Sequence, residues 1–434
     1  MQKFIITLAI LITQFTHFTQ SQALANLPGK YDLRENNLVT SVKNQGIPGP
    51  CWAFSALGAC ESNFLVQNFG KNLDLSEMHM AYFIYHDPKP ERNFTSRIKS
   101  GTLRLEGDMF MATAFLSRLC GATLEKNLRY STQNLNSLKQ SLRKKSPEDF
   151  KREIRLRDVY FLSLNSQPDN ITRKTLIMNH GAISISFYSE PFAYHEINKF
   201  STYFNNSHKT ETNHEVLIIG WDDNFPRENF KPKPSINGAW LIKNSWGDLR
   251  GKNGCFWLSY EQYIYGGAAF IIELAGKNKN LKHYGYDDLG WCASLRYKYC
   301  ANVFRCNSKR ESLNEIAFYT PENNYQCEYQ IYKLSSNTSP VNGELIAKSQ
   351  VTLQYAGYHT ITLPEKISLS QDQYFSVIIK SAKKIAPVEM RIKNYSENFA
   401  IHKHESYFSN DAVTWLDGYD LQHRANACIK AFTR

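Results

Sequence analysis

Beyond the short apolar run from Phe4 to Ile12, the 434-residue chain nowhere strings together the roughly 18 apolar side chains that a membrane-crossing helix needs. No transmembrane segment is expected. The chain also lacks low-complexity tracts and internal repeats, which argues against a disordered tether or a solenoid. It has no Cys-x-x-Cys pair, and Cys292, Cys300 and Cys306 are too unevenly spaced for a zinc knuckle, so no metal is called for. A basic stripe is missing as well. The formal net charge of +11 is scattered, and its densest group, Arg143, Lys144, Lys145, Lys151 and Arg152, reads as the solvated face of a helix. No nucleic acid is expected as a partner.

What is present begins with Lys3, the apolar run, and a polar stretch ending Ala23-Leu24-Ala25, the pattern that signal peptidase cleaves. Residues 1–25 are therefore read as an export signal, and the product as secreted, periplasmic or held at the cell surface. Nine cysteines in an exported chain permit disulfides, and the odd count leaves at least one thiol free. If Cys51 is that thiol, up to four bridges remain to the others.

The residues after the signal are enough for two domains. Ala53, Leu57, Cys60 and Phe64 recur at helical spacing and predict one apolar face of an amphipathic helix that opens at Cys51. Met109 to Leu119 reads as a second helix, and Leu138 to Arg155 as a weaker one. Beyond residue 180 come short β-type runs: Ala182 to Phe187, Val216 to Trp221, Ala239 to Lys243 and Cys255 to Tyr260. This order predicts an α+β domain over 26–276, ending in a polar stretch near Ala275 to Lys282. Strand signals then dominate at Glu315 to Tyr319, Tyr329 to Leu334, His359 to Leu363, Tyr374 to Ile379 and Ala427 to Phe432. They predict an all-β sandwich over 280–434.

A cysteine at a helix N-terminus feels partial positive charge, which favours the nucleophilic thiolate. Cys51 holds that position. His214, opening an apolar strand, could exchange a proton with it, and Asn244, just after another strand, could orient the imidazole without adding charge. Trp246 could shield the pair from water. Gln45, in a Gly/Pro-rich turn, could offer its amide to an oxyanion together with the Cys51 backbone N–H. Cys60 and Cys120 have no such company and read as structural.

The blocks Asn44-Gln45-Gly46, Cys51-Trp52-Ala53-Phe54, Asn213-His214 and Asn244-Ser245-Trp246-Gly247 resemble, in the same order, the active-site blocks of the papain family of cysteine peptidases. The resemblance spans roughly residues 30 to 275. It implies a two-lobed papain-like fold, hydrolysis of polypeptides through a thioester, and no cofactor. Tyr325 to Leu334, Tyr374 to Lys380 and Asn426 to Thr433 resemble, more loosely, the lectin-like β domain that follows the peptidase in certain bacterial members. A glycan or protein ligand for that domain is an open expectation.

The chain departs from the family pattern in several places. Pro48 stands where the family carries a cysteine, so that disulfide cannot form. Glu215 replaces the usual alanine after the histidine, beside the pocket for the P2 side chain, and implies either a preference for Arg or Lys or a local salt bridge. The glycine pair that lets substrate lie flat is reduced to Gly107. An extra basic loop, Phe225 to Ile236, is expected at the cleft rim. Only Asn26 to Lys30 separates the export signal from the Tyr31-Asp32-Leu33-Arg34 start, which leaves no conventional propeptide. Control is then expected from redox state, a partner, or the second domain covering the cleft. Two rivals remain: a non-catalytic surface protein that binds through its β domain, and acyl transfer to an amine in place of water.

Overall fold

The computed structural model describes residues 27–46, 49–95, 105–131, 133, 135–162, 170–197, 200–205, 211–278 and 280–434. The export signal and Pro48 lie outside these residues. Among them, no helix is long and apolar enough to cross a membrane.

Helix α1 (Cys51–Val66) is the axis of the first unit. It is buried on every side from Trp52 to Phe64, which corrects the expectation of an amphipathic helix with one apolar face. A helix can be buried this way only if its polar groups find partners. Ser62 Oγ donates to Leu38 O and accepts from Ala182 N, Asn63 Oδ1 accepts from Ile272 N, and Glu61 accepts from Thr40, Lys43 and the Leu75 N–H. Beside α1 lie α2 (Glu77–His86), which Ser76 caps through its hydroxyl, and α3 (Met109–Ser117), which Asp108 caps in the same way. Helix α4 (Leu135–Leu142) stops well short of Arg155. Arg143, Lys144 and Lys145 follow it as an exposed turn rather than a helix face, and residues 154 to 162 form a strand. Helix α5 (Asn170–His180) completes the set.

The strands of the first unit are β1 (Lys30–Asp32), β2 (Ile154–Leu162), β3 (Ile183–Phe187), β4 (Tyr194–Ile197), β5 (Phe200–Tyr203), β6 (His214–Asp222), β7 (Ala239–Lys243), β8 (Cys255–Ser259) and β9 (Ile264–Leu274). The second unit is built from β10 (Lys282–Tyr284), β11 (Ala293–Leu295), β12 (Tyr299–Arg305), β13 (Arg310–Thr320), β14 (Tyr325–Leu334), β15 (Gly343–Leu353), β16 (Ala356–Ser370), β17 (Tyr374–Ser381), β18 (Ala386–Met390), β19 (Ser406–Ser409), β20 (Leu416–Asp417), β21 (Ala425–Ala427) and β22 (Ile429–Thr433). Its core lies between β13, β16 and β22 on one side and a six-stranded sheet, β15-β14-β17-β12-β19-β20, on the other, with Phe304, Ile316, Phe318, Ile331 and Val377 buried between them.

One sheet passes through both units. Its order is β10-β22-β13-β16-β2-β9-β3-β6-β7-β8-β5-β4, with β1 pairing to β6. The join is β2 against β16, antiparallel, with Val159 opposite Tyr358 and Phe161 opposite Ala356. Arg155 on β2 is fully buried at this seam. Its guanidinium reaches Glu273 and Glu315, each at 2.6 Å, and lies 4.3 Å from the ring centre of Phe432. Arg157 reaches the same Glu315 at 2.5 Å.

Two expectations are corrected by this fold. All nine cysteines are free thiols, each lodged in a helix, strand or loop without a sulfur partner, so no bridge staples either unit. The loop over 225–236, expected at the cleft rim, contributes no residue to the lining of the cavities that hold Cys51, His214 and Asn244. Phe225 and Phe230 are buried with Phe204 and Ala239, and Ser235 and the Ile236 N–H are tied to Glu261.

Removing one partner of a buried ion pair leaves the other charge uncompensated, at a cost of about 3–5 kcal/mol. Glu315→Ala should therefore lower the stability of the protein by about that amount, read from the shift in its denaturant midpoint. A change under about 1 kcal/mol, the size expected of an exposed pair, would show that the seam does not depend on this carboxylate.

Candidate active site

Helix α1 lies across β6 with little space between them. A Cβ on Gly58 would sit 2.6 Å from the end of the Leu217 side chain, so any larger residue would have to displace that leucine. One turn earlier, Ser55 Oγ donates to Val216 O at 2.9 Å and is 2.8 Å from Ser184 Oγ. Continuing toward the helix start, the Cys51 sulfur meets the backbone N–H groups of Glu215 and Trp52. Cys51 and His214 line one cavity of about 910 Å³.

His214 Nε2 is 2.9 Å from Asn244 Oδ1. An amide oxygen can only accept, so Nε2 carries the proton and Nδ1 keeps its lone pair. Asn244 Oδ1 also accepts from the Ser245 N–H at 2.8 Å, which fixes the amide in that sense. The Trp246 ring stacks on the imidazole, with centroids 4.8 Å apart and planes within 18°. Asn244 and Trp246 line a neighbouring cavity of about 660 Å³, which Gln45 also lines.

The segment around Gln45 pairs with the segment around Ser245. Gln45 N donates to Ser245 O at 2.8 Å, Gly247 N to Lys43 O at 3.0 Å, and Ser245 Oγ to Gln45 Oε1 at 2.5 Å. With its oxygen held by Ser245, the Gln45 side chain turns its Nε2 toward Gly49, where a Cβ would come within 1.7 Å of that nitrogen. Gly49 lines both cavities, so the Gln45 donor lies between them, two residues from Cys51. Below, Lys43 is held by Glu61, Asp74 and Glu77 at 2.8 to 3.0 Å.

Gly107 packs flat on Trp52, whose indole donates to Leu105 O at 2.7 Å. A Cβ at 107 would enter that ring at 2.4 Å. Glu215 is only 6% exposed and makes no salt bridge among the described residues. Its carboxylate faces Ser184 and Ser186, and the same 910 Å³ cavity that holds Cys51.

Burial dominates the electrostatics. It pushes the Cys51 thiol up to about 12, with the Glu215 charge adding to the rise and the backbone donors opposing it. It pushes His214 down to about 4, against the Asn244 hydrogen bond. Glu215 is pushed up to about 8 by burial and by Asp108. Burial thus favours the uncharged form of both the thiol and the imidazole. Only groups poised to stabilise an ion pair can make that sulfur react quickly.

The structure thus brings together every residue that the sequence pointed to: Cys51, His214, Asn244, Gln45, Gly107, Glu215 and Trp246. It adds others that the sequence reading passed over. Ser245, which fixes Gln45, stood within a quoted block. Ser184, Ser186, Asp108 and Tyr395 carried no local signal, because each becomes a neighbour only through tertiary packing.

A half-buried cysteine at a helix start, a histidine held by an amide side chain and a glutamine amide turned toward the loop just before the cysteine make up the site class of a cysteine-nucleophile hydrolase. The chain belongs to the papain family of cysteine proteases, whose profile matches residues 27–269, and a lectin-like domain profile matches residues 283–433. It is 30% identical over 234 residues to the viral cathepsin of Heliothis zea nuclear polyhedrosis virus, covering 52% of this chain and 51% of that one. It is 29% identical over 253 residues to a probable cysteine protease of Arabidopsis thaliana, covering 58% and 63%. The chain thus spans roughly half to five-eighths of the length of these curated relatives.

Across both units the fold is similar to that of the clostridial cysteine protease Cwp84 after propeptide cleavage. The TM-score is 0.81 at 23% identity, covering 93% of this chain and 99% of that one. A second structure, of the cysteine protease and lectin-like domains of Cwp84 from Clostridium difficile, gives a TM-score of 0.78 at 22% identity and covers 94% and 89%. The papain-like unit followed by an all-β lectin-like unit is the architecture expected from the sequence.

The Glu215 charge raises the Cys51 thiol, and that charge is itself lost below about pH 8. Glu215→Gln should therefore speed iodoacetamide alkylation of Cys51 above pH 8, where wild type is anionic, and leave it unchanged near pH 6, where wild-type Glu215 is as neutral as glutamine. The rate ratio should open through pH 8. A ratio constant across that range would contradict the assignment.

Proposed function

We propose that this protein hydrolyses peptide bonds in polypeptides. The observation that carries the reading is the His214–Asn244 hydrogen bond, made beside a cysteine at the start of a buried helix, with both residues of the reacting pair on one cavity. Cys51 Sγ attacks the scissile carbonyl carbon while its proton passes to His214 Nδ1. The C–N bond breaks, the proton goes to the leaving amine, and a thioester remains on Cys51. Water then attacks the thioester, losing a proton to His214, and the thiol is restored as the acid departs. Asn244 keeps Nε2 as the protonated nitrogen throughout. The Gln45 amide and the Cys51 N–H, which has no acceptor in the first helical turn, hold the oxyanion.

Gly107 and Trp246 flank the substrate on opposite sides of the sulfur. Glu215 places a carboxyl group on the cavity floor that the arrival of a cationic side chain would hold ionised, which favours Arg or Lys at P2. The peptidase domain is taken as 26–276 and the lectin-like domain as 280–434. Residues 1–25 are taken as an export signal that delivers the protein to the periplasm, the surface or the medium. Cwp84 is described as surface layer associated, which agrees with this location. Polypeptides are the substrates, and a glycan or protein ligand for the β domain is left to a binding assay. The presence of Cys51, His214, Asn244 and Gln45 around these cavities weighs against the rival of a non-catalytic surface protein.

Three measurements test the reading. Cys51→Ala should abolish thiol-dependent turnover of fluorogenic peptides. Gln45→Ala should lower kcat by about 10²- to 10³-fold with little change in KM, the usual loss for one oxyanion donor. A loss confined to KM would remove Gln45 from that role. On paired substrates, kcat/KM should favour P2 Arg over P2 Leu, and Glu215→Gln should narrow the gap. Equal wild-type rates would overturn the basic-P2 preference.

A further inference from the structure

The cavity holding Cys51 and His214 is not made by the peptidase unit alone. Asn394 and Tyr395, which follow β18 in the second unit, form part of its wall. Their turn is rigid: Ser396 is fully buried, its hydroxyl donates to Met390 O at 2.5 Å and accepts from Ile392 N at 3.0 Å. The turn is also fastened to the peptidase. Thr95 N donates to Tyr395 O at 2.6 Å, Glu397 N to Thr95 Oγ1 at 3.2 Å, and Asn398 Nδ2 to Asn93 O at 3.0 Å. The Tyr395 ring meets Phe94 edge-on at 5.0 Å, and its hydroxyl lies 3.4 Å from both Asp108 oxygens. Asp108 in turn acts electrostatically on Glu215, so these three side chains share one region of the cavity.

We propose that Tyr395 is a specificity-determining residue, through which the second domain closes the far end of the P2 pocket and sets the size and polarity of the side chain accepted there. The ring blocks long apolar side chains. The hydroxyl, with the Glu215 and Asp108 carboxylates, presents oxygens to a guanidinium or ammonium head that enters between them. The part concerning basic side chains rests on the P2 reading above, whereas the steric part does not.

The test uses the full-length protein, its Tyr395→Phe and Tyr395→Leu variants, and three fluorogenic peptides that differ only in Arg, Leu or Phe at P2. Tyr395→Phe should lower kcat/KM for P2 Arg by about 3- to 10-fold, mostly in KM, the worth of one hydrogen bond to a charged or polar group. It should affect P2 Leu less, so that the Arg:Leu ratio falls. Tyr395→Leu shortens the wall and should raise the Phe:Leu ratio about 10-fold, as extra room for apolar groups does. If the Arg:Leu:Phe profile of both variants matches wild type, the proposal is overturned, and if Tyr395→Leu does not fold, the Tyr395→Phe profile alone decides. Equal wild-type rates on Arg and Leu with a raised Phe:Leu ratio in Tyr395→Leu would sink the basic-P2 reading and keep Tyr395 as the wall.

Discussion

The close crossing of helix α1 over strand β6 is the contact on which the site depends. Gly58 lets Leu217 reach the helix backbone, Ser55 bonds to the carbonyl of Val216, and the sulfur of Cys51 meets the N–H of Glu215. Three successive points of contact set the helix against the strand in one register. Because His214 begins that strand, the register sets the thiol and the imidazole on one cavity. The antiparallel pairing of β6 with β7 then brings Asn244, the residue after β7, to the imidazole. The pairing of residues 43–46 with 245–247 brings Gln45 to the same place. A small number of backbone registers thus assembles groups that are nearly 200 residues apart in the chain.

The second unit is bound into this scheme by more than a linker. Its strand β16 continues the peptidase sheet through β2, and the buried Arg155 holds Glu273 of one unit and Glu315 of the other. A guanidinium removed from water needs both partners, so the seam is an obligate contact in the folded protein. That rigidity is what allows the turn at Tyr395 to serve as a fixed wall of the cleft. Substrate selection and domain architecture are joined at one point.

Much of the site was legible because its chemistry is written in compact blocks. Cys51 with Trp52, His214, Asn244 with Trp246, and Gln45 each sit where a strand or helix begins or ends, and such positions have recognisable flanks. The fold class was legible from the shift of helical to alternating patterns near residue 180 and from the strand signals beyond 315. Boundaries were less so. Strand β2 was not legible, and its first two residues read as the end of a charged helix, because Arg155 and Arg157 meet their carboxylates only once β9 and β13 pack beside the strand. The amphipathic reading of α1 failed because Ser55, Glu61, Ser62 and Asn63 look like a solvent face until their buried partners are known. The expectation of disulfides failed for a related reason. A cysteine count speaks for the compartment, whereas a core of this size holds together with every thiol free. Tyr395 could not have been found from its neighbours in sequence, since its role exists only in the packed pair of domains.

The central claim is that one thiol among nine is made a nucleophile by its surroundings. The most direct measurement is to treat the protein with a peptidyl electrophile, such as a peptide bearing a vinyl sulfone, and map the modified residue by mass spectrometry. The account predicts a single adduct on Cys51, formed rapidly in wild type and lost in His214→Ala. An adduct spread over several cysteines, or one on Cys51 that forms as fast without His214, would contradict it.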